Sequence, residues 1–311
     1  MSKYLTLLLC LTALAACRND PPADGTASAA RSDGPAIETV HGSLNLPAPP
    51  QKTAVYDFAL LDTLTALGIT PAAVPAKRFL PYLETAAQGI PAAGTVYEPD
   101  YEALARIAPD LILTGLANPK IRGNLAQIAP VADLSIDGSR LITGGLERLD
   151  QLGRLYGRSR QADKLRNGIE SRLAAARRAA AALGNAQGAV VMINGSKLSV
   201  FGPESYFGWV YREIGLRPLE NGMPENGRAM PVTHEYFSRH RPEWLAVIDR
   251  SRAVGEQRTD SGVLDTPLLR QTPAFANRRI IYLSSAAFVA GGGVRQMQQD
   301  LDILTAALSP H

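Results

Sequence analysis

SRLITGGLERLDQLGRLY, residues 139–156, interrupts a chain that otherwise alternates short apolar runs with helical ones. Ile142, Leu146, Leu149, Leu152 and Tyr156 recur every three or four positions, the spacing of one apolar helix face, and Gly157 offers a stop. Eighteen residues at 1.5 Å each make a rod of roughly 27 Å. Before it, Lys52–Asp57 reads as a strand, Phe58–Leu67 as a helix ending at Gly68, and Tyr101–Ala108 as a helix closed by Pro109. Leu111–Thr114 is then a buried strand, Pro119–Ile128 a helix and Val131–Leu134 a strand. After it come an Ala- and Arg-rich helix at Gln161–Leu183, strands at Ala189–Asn194, Lys197–Phe201, Trp244–Ile248 and Arg279–Leu283, and a last helix at Val294–Leu308. Strand–helix alternation implies parallel sheets covered on both faces. The expectation is an α/β chain of two lobes, residues 51–138 and 159–311, joined by helix over 139–158.

A weak internal repeat supports two lobes. Glu102, six residues, Pro109, Asp110 and the run LIL are matched by Glu235, six residues, Pro242, Glu243 and WLAVI. In each copy a helix, a proline and a buried strand follow one another.

The chain has 311 residues, 46% hydrophobic and 20% charged, which excludes wholesale disorder and collagen-like structure. Its 32 basic and 29 acidic residues give a net charge of +3. Such a balance argues against a nucleic-acid partner, which needs a concentrated basic face.

The first sixteen residues, MSKYLTLLLCLTALAA, carry one Lys, an apolar run and then small residues, the order of a secretory signal peptide. The run is short of the ~20 residues that span a bilayer. Leu14-Ala15-Ala16-Cys17 resembles the lipobox of bacterial lipoproteins, which implies cleavage before Cys17 and its lipidation. The only other cysteine, Cys10, would leave with the signal, so no intrachain disulfide can form. Residues 17–50 are rich in Pro, Ala, Gly, Ser and Asp and read as a flexible tether with a reach of roughly 30 Å. The protein is expected in the periplasm, lipid-anchored to a membrane.

Five segments carry a family resemblance: VYDFALLDTLTALG (55–68), GTVYEPDYEALARIAPDLIL (94–113), FGPESYFG (201–208), PEWLAVIDR (242–250) and YLSSAAFVAGGG (282–293). In order and spacing they resemble the iron-siderophore substrate-binding proteins of ABC importers, in particular the catecholate branch. The resemblance implies the class III binding-protein fold: two Rossmann-like lobes, a long bridging helix, a cleft between the lobes and little closure on binding. It implies no cofactor, a ferric siderophore as ligand, and an inner-membrane permease with its ATPase as partners to a monomer.

The resemblance also assigns roles. Glu102 and Glu235 match the carboxylates that dock on permease arginines, contacts that set register more than affinity. Arg250 matches one of the arginines that hold the anionic chelate. Leu116 and Tyr206 stand where two others would be, Phe288 stands at an iron-ligating tyrosine, and Arg228 at an iron-ligating histidine. Neither Phe288 nor Arg228 can ligate iron, so the siderophore is expected to fill the iron's coordination itself, and no metal ligand is assigned to the protein. Lys77, Arg78, Lys120, Arg228, Arg250 and Arg252 are the candidate cations for a ferric catecholate, with Tyr82, Tyr206 and Phe288 as ring contacts. The backbone of Ala290–Gly293 either meets an anion or is a flexible turn.

The alternatives are a less anionic cargo on the same fold (a hydroxamate siderophore, haem or cobalamin), an anchored α/β hydrolase, or an interaction lipoprotein. Enzyme signatures are thin: the four histidines are His41, His234, His240 and His311, and G-x-S-x-G, P-loop and G-x-G-x-x-G motifs do not occur.

Overall fold

The structure is a computed structural model that describes residues 34–77, 80–115, 118–224, 227–254 and 262–309. Cys17, Arg78 and Leu116 lie outside the described residues.

An antiparallel hairpin, β1 (Ala36–Thr39) and β2 (Gly42–Asn45), comes first. It falls inside the stretch read as tether, and Ile37 and Leu46 are buried in the core. Val40 N–H donates to the Asp133 carbonyl and His41 Nε2 lies 3.5 Å from the Asp133 carboxylate. The tether reading therefore ends before the hairpin. Two isolated apolar anchors in a polar stretch were enough to dock it, although composition alone reads as disorder.

The N-terminal lobe holds β3 (Thr53–Tyr56), α1 (Phe58–Ala66), α2 (Pro81–Ala86), α3 (Tyr101–Ile107), β4 (Leu111–Thr114), α4 (Pro119–Leu125) and β5 (Val131–Asp133). Its sheet is parallel, ordered β3-β4-β5, with Thr53 opposite Leu111 and Ile112 opposite Val131. A 3-10 turn (Gly138–Arg140) leads into α5 (Leu141–Leu155), the bridging helix, and then α6 (Ser159–Ala181).

The C-terminal lobe continues with β6 (Gln187–Asn194), β7 (Lys197–Phe201), α7 (Trp209–Arg212), β8 (Arg217–Pro218), β9 (Met230–Val232), α8 (His234–His240), β10 (Trp244–Asp249) and α9 (Arg250–Ala253). It closes with α10 (Pro267–Arg270), α11 (Pro273–Ala276), β11 (Ile280–Tyr282), α12 (Ala286–Val289) and α13 (Val294–Leu308). The sheet order is β11-β10-β6-β7-β9, with β8 also on β6. Strands β11, β10, β6 and β8 are parallel, but β7 pairs antiparallel with both β6 and β9. This sheet is mixed, where alternation alone led us to expect parallel strands. The short Gly195 turn, with φ +60°, allows a tight hairpin instead of a crossover.

The repeat has a geometric counterpart. Helices α3 and α8 both end on a left-handed residue that is not glycine, Ala108 (φ 51°) and Arg241 (φ 46°), each followed by Pro and a buried strand. Left-handed backbone halts the helix, and proline prevents its resumption.

Helix α5 buries Leu141, Ile142, Leu146, Leu149, Leu152 and Leu155. Its own N-terminal residues provide no cap. Glu213, a buried carboxylate just after α7, accepts from Ile142 N–H (2.7 Å), Thr143 N–H (2.8 Å) and Thr143 Oγ1 (2.6 Å). One continuous core runs from Val55 and Leu60 in the first lobe through α5, α6 and α13 to Phe207 and Trp244 in the second.

Candidate ligand-binding site

A cavity of about 550 Å³ opens between the lobes. From the N-terminal lobe it is lined by Tyr56, Asp57, Phe58, Val96, Tyr97 and Gly115, and from the C-terminal lobe by Arg250, Val254, Phe288 and Val289. Tyr56, Gly115 and Arg250 sit at or just past the carboxyl ends of β3, β4 and β10. Ligands of open α/β sheets bind outside such strand ends.

Two residues expected from the sequence meet here. The Arg250 guanidinium lies 5.6 Å from the centroid of the Phe288 ring, a cation–π contact. Its Nη1 also donates to Asn194 Oδ1 at 3.2 Å. The cation is thus held against an aromatic face at the wall of the cleft.

Tyr206 borders this region without lining the cavity. Its residue is 42% exposed, while its hydroxyl lies so close to Gly291 that any Cβ there would collide with it. Burial of that hydroxyl and the nearby Asp57 charge push its pKa up to about 12, against the opposing effect of Arg148. Tyr82 is engaged elsewhere. Its hydroxyl donates to Asp62 Oδ2 at 3.1 Å, and Arg295 lies 5.3 Å over its ring. Lys77, Lys120, Arg228 and Arg252 are exposed, and none of them lines the cavity. Lys120 instead occupies the first turn of α4, its N–H on Asn118 Oδ1. Basic residues strewn along a sequence do not announce which way they face.

Four features escaped the sequence reading. Asp57 caps α1, its Oδ1 accepting from Leu60 N–H at 2.7 Å, and it faces the cavity as well. Its signal was its place at a strand end. Tyr97 is 73% exposed at the cleft, presented by a turn in which Thr95 N–H donates to the Glu98 carbonyl at 2.9 Å. Arg148 on α5 is only 4% exposed; it reaches the Leu134 carbonyl of one lobe (3.4 Å) and the Gly291 carbonyl of the other (3.3 Å). Burial lowers its pKa, and the charge of Asp57 is the largest effect opposing that. Asp62 on α1 is buried and accepts from the Arg295 and Gln296 N–H groups at the start of α13, each at 3.1 Å. Arg148 and Asp62 both tie one lobe to the other.

The described histidines have structural partners. His234 Nε2 contacts the Val263 carbonyl at 2.7 Å, and His240 packs on Tyr236. Among the described residues no cluster of three or more His, Cys, Asp or Glu is arranged to hold a metal ion, and no helix is long and apolar enough to cross a membrane. Glu102 and Glu235 are exposed in the first turns of α3 and α8. The Thr233 hydroxyl, by hydrogen bonding, holds the Glu235 carboxyl below its ordinary range.

Residues 54–287 match the periplasmic binding protein family. This chain belongs to that family. This periplasmic binding protein is 32% identical over 260 residues to the petrobactin-binding protein YclQ of Bacillus subtilis, covering 82% of this chain and 81% of the relative. The crystal structure of that relative superposes with a TM-score of 0.80, covering 89% of this chain and 99% of the other. The ferric-anguibactin-binding protein FatB of Vibrio anguillarum is 27% identical over 247 residues, 77% of this chain and 76% of its own. The catecholate-siderophore binding protein VctP of Vibrio cholerae is 25% identical, with a TM-score of 0.80 over 88% of this chain and 99% of that structure. The two bridged α/β lobes of this periplasmic binding protein are therefore the class III arrangement. Its family is one of binding proteins and not of enzymes, in keeping with a cleft that holds a cation against a ring.

Proposed function

We propose that this protein is the substrate receptor of an ABC importer, capturing a ferric siderophore between its lobes and delivering it to an inner-membrane permease. The observation that carries this reading is Arg250 laid on Phe288 at the wall of an interlobe cavity of about 550 Å³. A cation on a ring suits the anionic, aromatic surface of a ferric catecholate. The relatives named as binding petrobactin, ferric anguibactin and catecholate siderophores support the same class of cargo. The siderophore fills the iron's coordination sphere, and the protein holds the complex from outside. Glu102 and Glu235, exposed at equivalent points of the repeat, dock on permease cations, and lipidated Cys17 keeps the body at the membrane.

A less anionic chelate is the second reading, and Asp57 favours it: among the described residues the cavity wall holds one carboxylate as well as one arginine. Calorimetric titration of the full chain in detergent separates the two, using ferric tris-catecholate, ferric bis-catecholate, ferric hydroxamate and haem, each beside its iron-free form. Saturable submicromolar binding of a ferric catecholate, weakened about tenfold or more by Arg250→Gln, is the expected result. Preference for the hydroxamate or haem moves the assignment to the second reading, and binding of none overturns both. Trp209 and Trp244 are fully buried and line no part of the cleft, so calorimetry is a more direct readout than tryptophan emission.

A further inference from the structure

Among the described residues, the two walls of the cleft carry opposite charges. On the C-terminal wall Arg250 lies over Phe288. On the N-terminal wall, which Tyr97 also lines, Asp57 faces the cavity. Only one oxygen of Asp57 is used by the fold: Oδ1 accepts from Leu60 N–H, the cap of α1. Among the described residues Oδ2 has no hydrogen-bond or ion-pair partner. It sits against Gly115, also a cavity residue, where any Cβ would fall on the carboxylate. The bare glycine leaves that oxygen room at the wall. The buried cation Arg148 feels the Asp57 charge but makes no hydrogen bond to it: its Nη1 and Nη2 donate to the carbonyls of Leu134 and Gly291, and its Nε has no hydrogen-bond partner among the described residues.

A carboxylate in a ligand cavity opposes a polyanion and needs a donor from whatever fills the space. We propose that Asp57 is a specificity-determining residue that selects a ferric chelate of mixed charge. A protonated amine of the chelator meets Asp57 Oδ2, and the anionic aromatic end meets Arg250 and Phe288. The inference rests on the siderophore reading above and narrows its cargo to chelates with an ammonium group in the linker. It also gives the cleft a polarity, fixing which end of the cargo faces which lobe.

Asparagine caps helices as well as aspartate does, so Asp57→Asn removes the charge while retaining the cap. The full chain and this variant are titrated with two ferric bis-catecholates that share one linker, one carrying a free secondary amine and the other its N-acetyl derivative. The wild-type chain is expected to bind the amine chelate about 10- to 100-fold more tightly, the range for a hydrogen bond between charged groups. In Asp57→Asn that ratio falls to about 1, the acetylated chelate binds as before or more tightly, and the melting temperature is unchanged. Equal affinities in the wild-type chain overturn the inference, and so does a preference that survives in the variant. Equal loss of both chelates in the variant also overturns it, since the carboxylate would then serve the shape of the cleft or the iron itself. These outcomes leave the siderophore reading intact, which falls only if the wild-type chain binds neither these chelates nor any of the ferric complexes titrated above.

Discussion

Asp62 and Asp300 show the energetic cost of a buried carboxyl, the first joining the lobes and the second bonded within the C-terminal lobe to Ser284 and Gln296. Burial raises each carboxyl from its ordinary 3.8 to about 6, although hydrogen bonds oppose the rise: Gln296, Arg295 and Tyr82 at Asp62, Gln296 and Ser284 at Asp300. Gln296 connects them, its N–H on Asp62 (3.1 Å) and its Nε2 on Asp300 (2.7 Å). The folded state therefore holds protons that the unfolded chain has lost between pH 4 and 6. The stabilisation from each protonated acid is fully present below pH 4 and lost as pH rises through about 6. For a shift of this size the loss is about 3 kcal/mol per group. Asp300→Asn removes one of these titrations, so in urea melts the variant should gain on the wild-type chain as pH rises from 4.5 to 7. A stability difference that stays flat over that window would show that the carboxyl titrates normally in the fold.

Among the elements, α5 has the clearest dependence on a distant residue. The sequence showed the helix through its apolar spacing, and the observed Leu141–Leu155 lies within the expected 139–158. Its cap could not be read that way, because Glu213 lies about 70 residues downstream and comes into place only through packing. The same limit hid the hairpin, whose few apolar residues dock on β5, and the outward turn that presents Tyr97. The strands and helices flanking the cleft were legible because buried runs and proline stops are local signals. Arg250 was legible because it directly follows such a strand. Lys77, Lys120 and Arg228 were not distinguishable from it by type, since side-chain direction past a strand end is set by tertiary contacts. Glu213→Ala leaves two N–H groups and a hydroxyl of the α5 start without their acceptor, a loss of about 2 kcal/mol. A fall of several degrees in melting temperature is the expected outcome, with Glu213→Gln, which keeps an acceptor, falling less. Equal melting temperatures for all three proteins would mean that water replaces the cap.

At the scale of the whole molecule the decisive feature is that, beside a smaller apolar cluster of its own in each lobe, the lobes share a third and larger one. The largest apolar cluster includes Leu60 and Leu113 of the first lobe, Leu149 and Leu152 of the bridging helix, and Trp244 and Leu301 of the second. A hinge motion of the kind that closes over a ligand has to shear this packing, whose close-packed side chains resist continuous deformation. Arg148 and Asp62 add polar ties across the same junction, donating to carbonyls of both lobes and accepting from α13 respectively. Ligand capture then proceeds by filling a preformed cleft, with adjustment confined to side chains and to loops such as the Tyr97 turn. Small-angle scattering of the full chain in detergent, matched for contrast, tests this directly: the radius of gyration should change by less than about 1 Å between the free and the loaded protein, as in preorganised complexes. Calorimetric unfolding of the free protein should show both lobes melting in one transition. A contraction of several ångströms on loading, or two separate transitions, would mean that the shared core yields more easily than its packing implies.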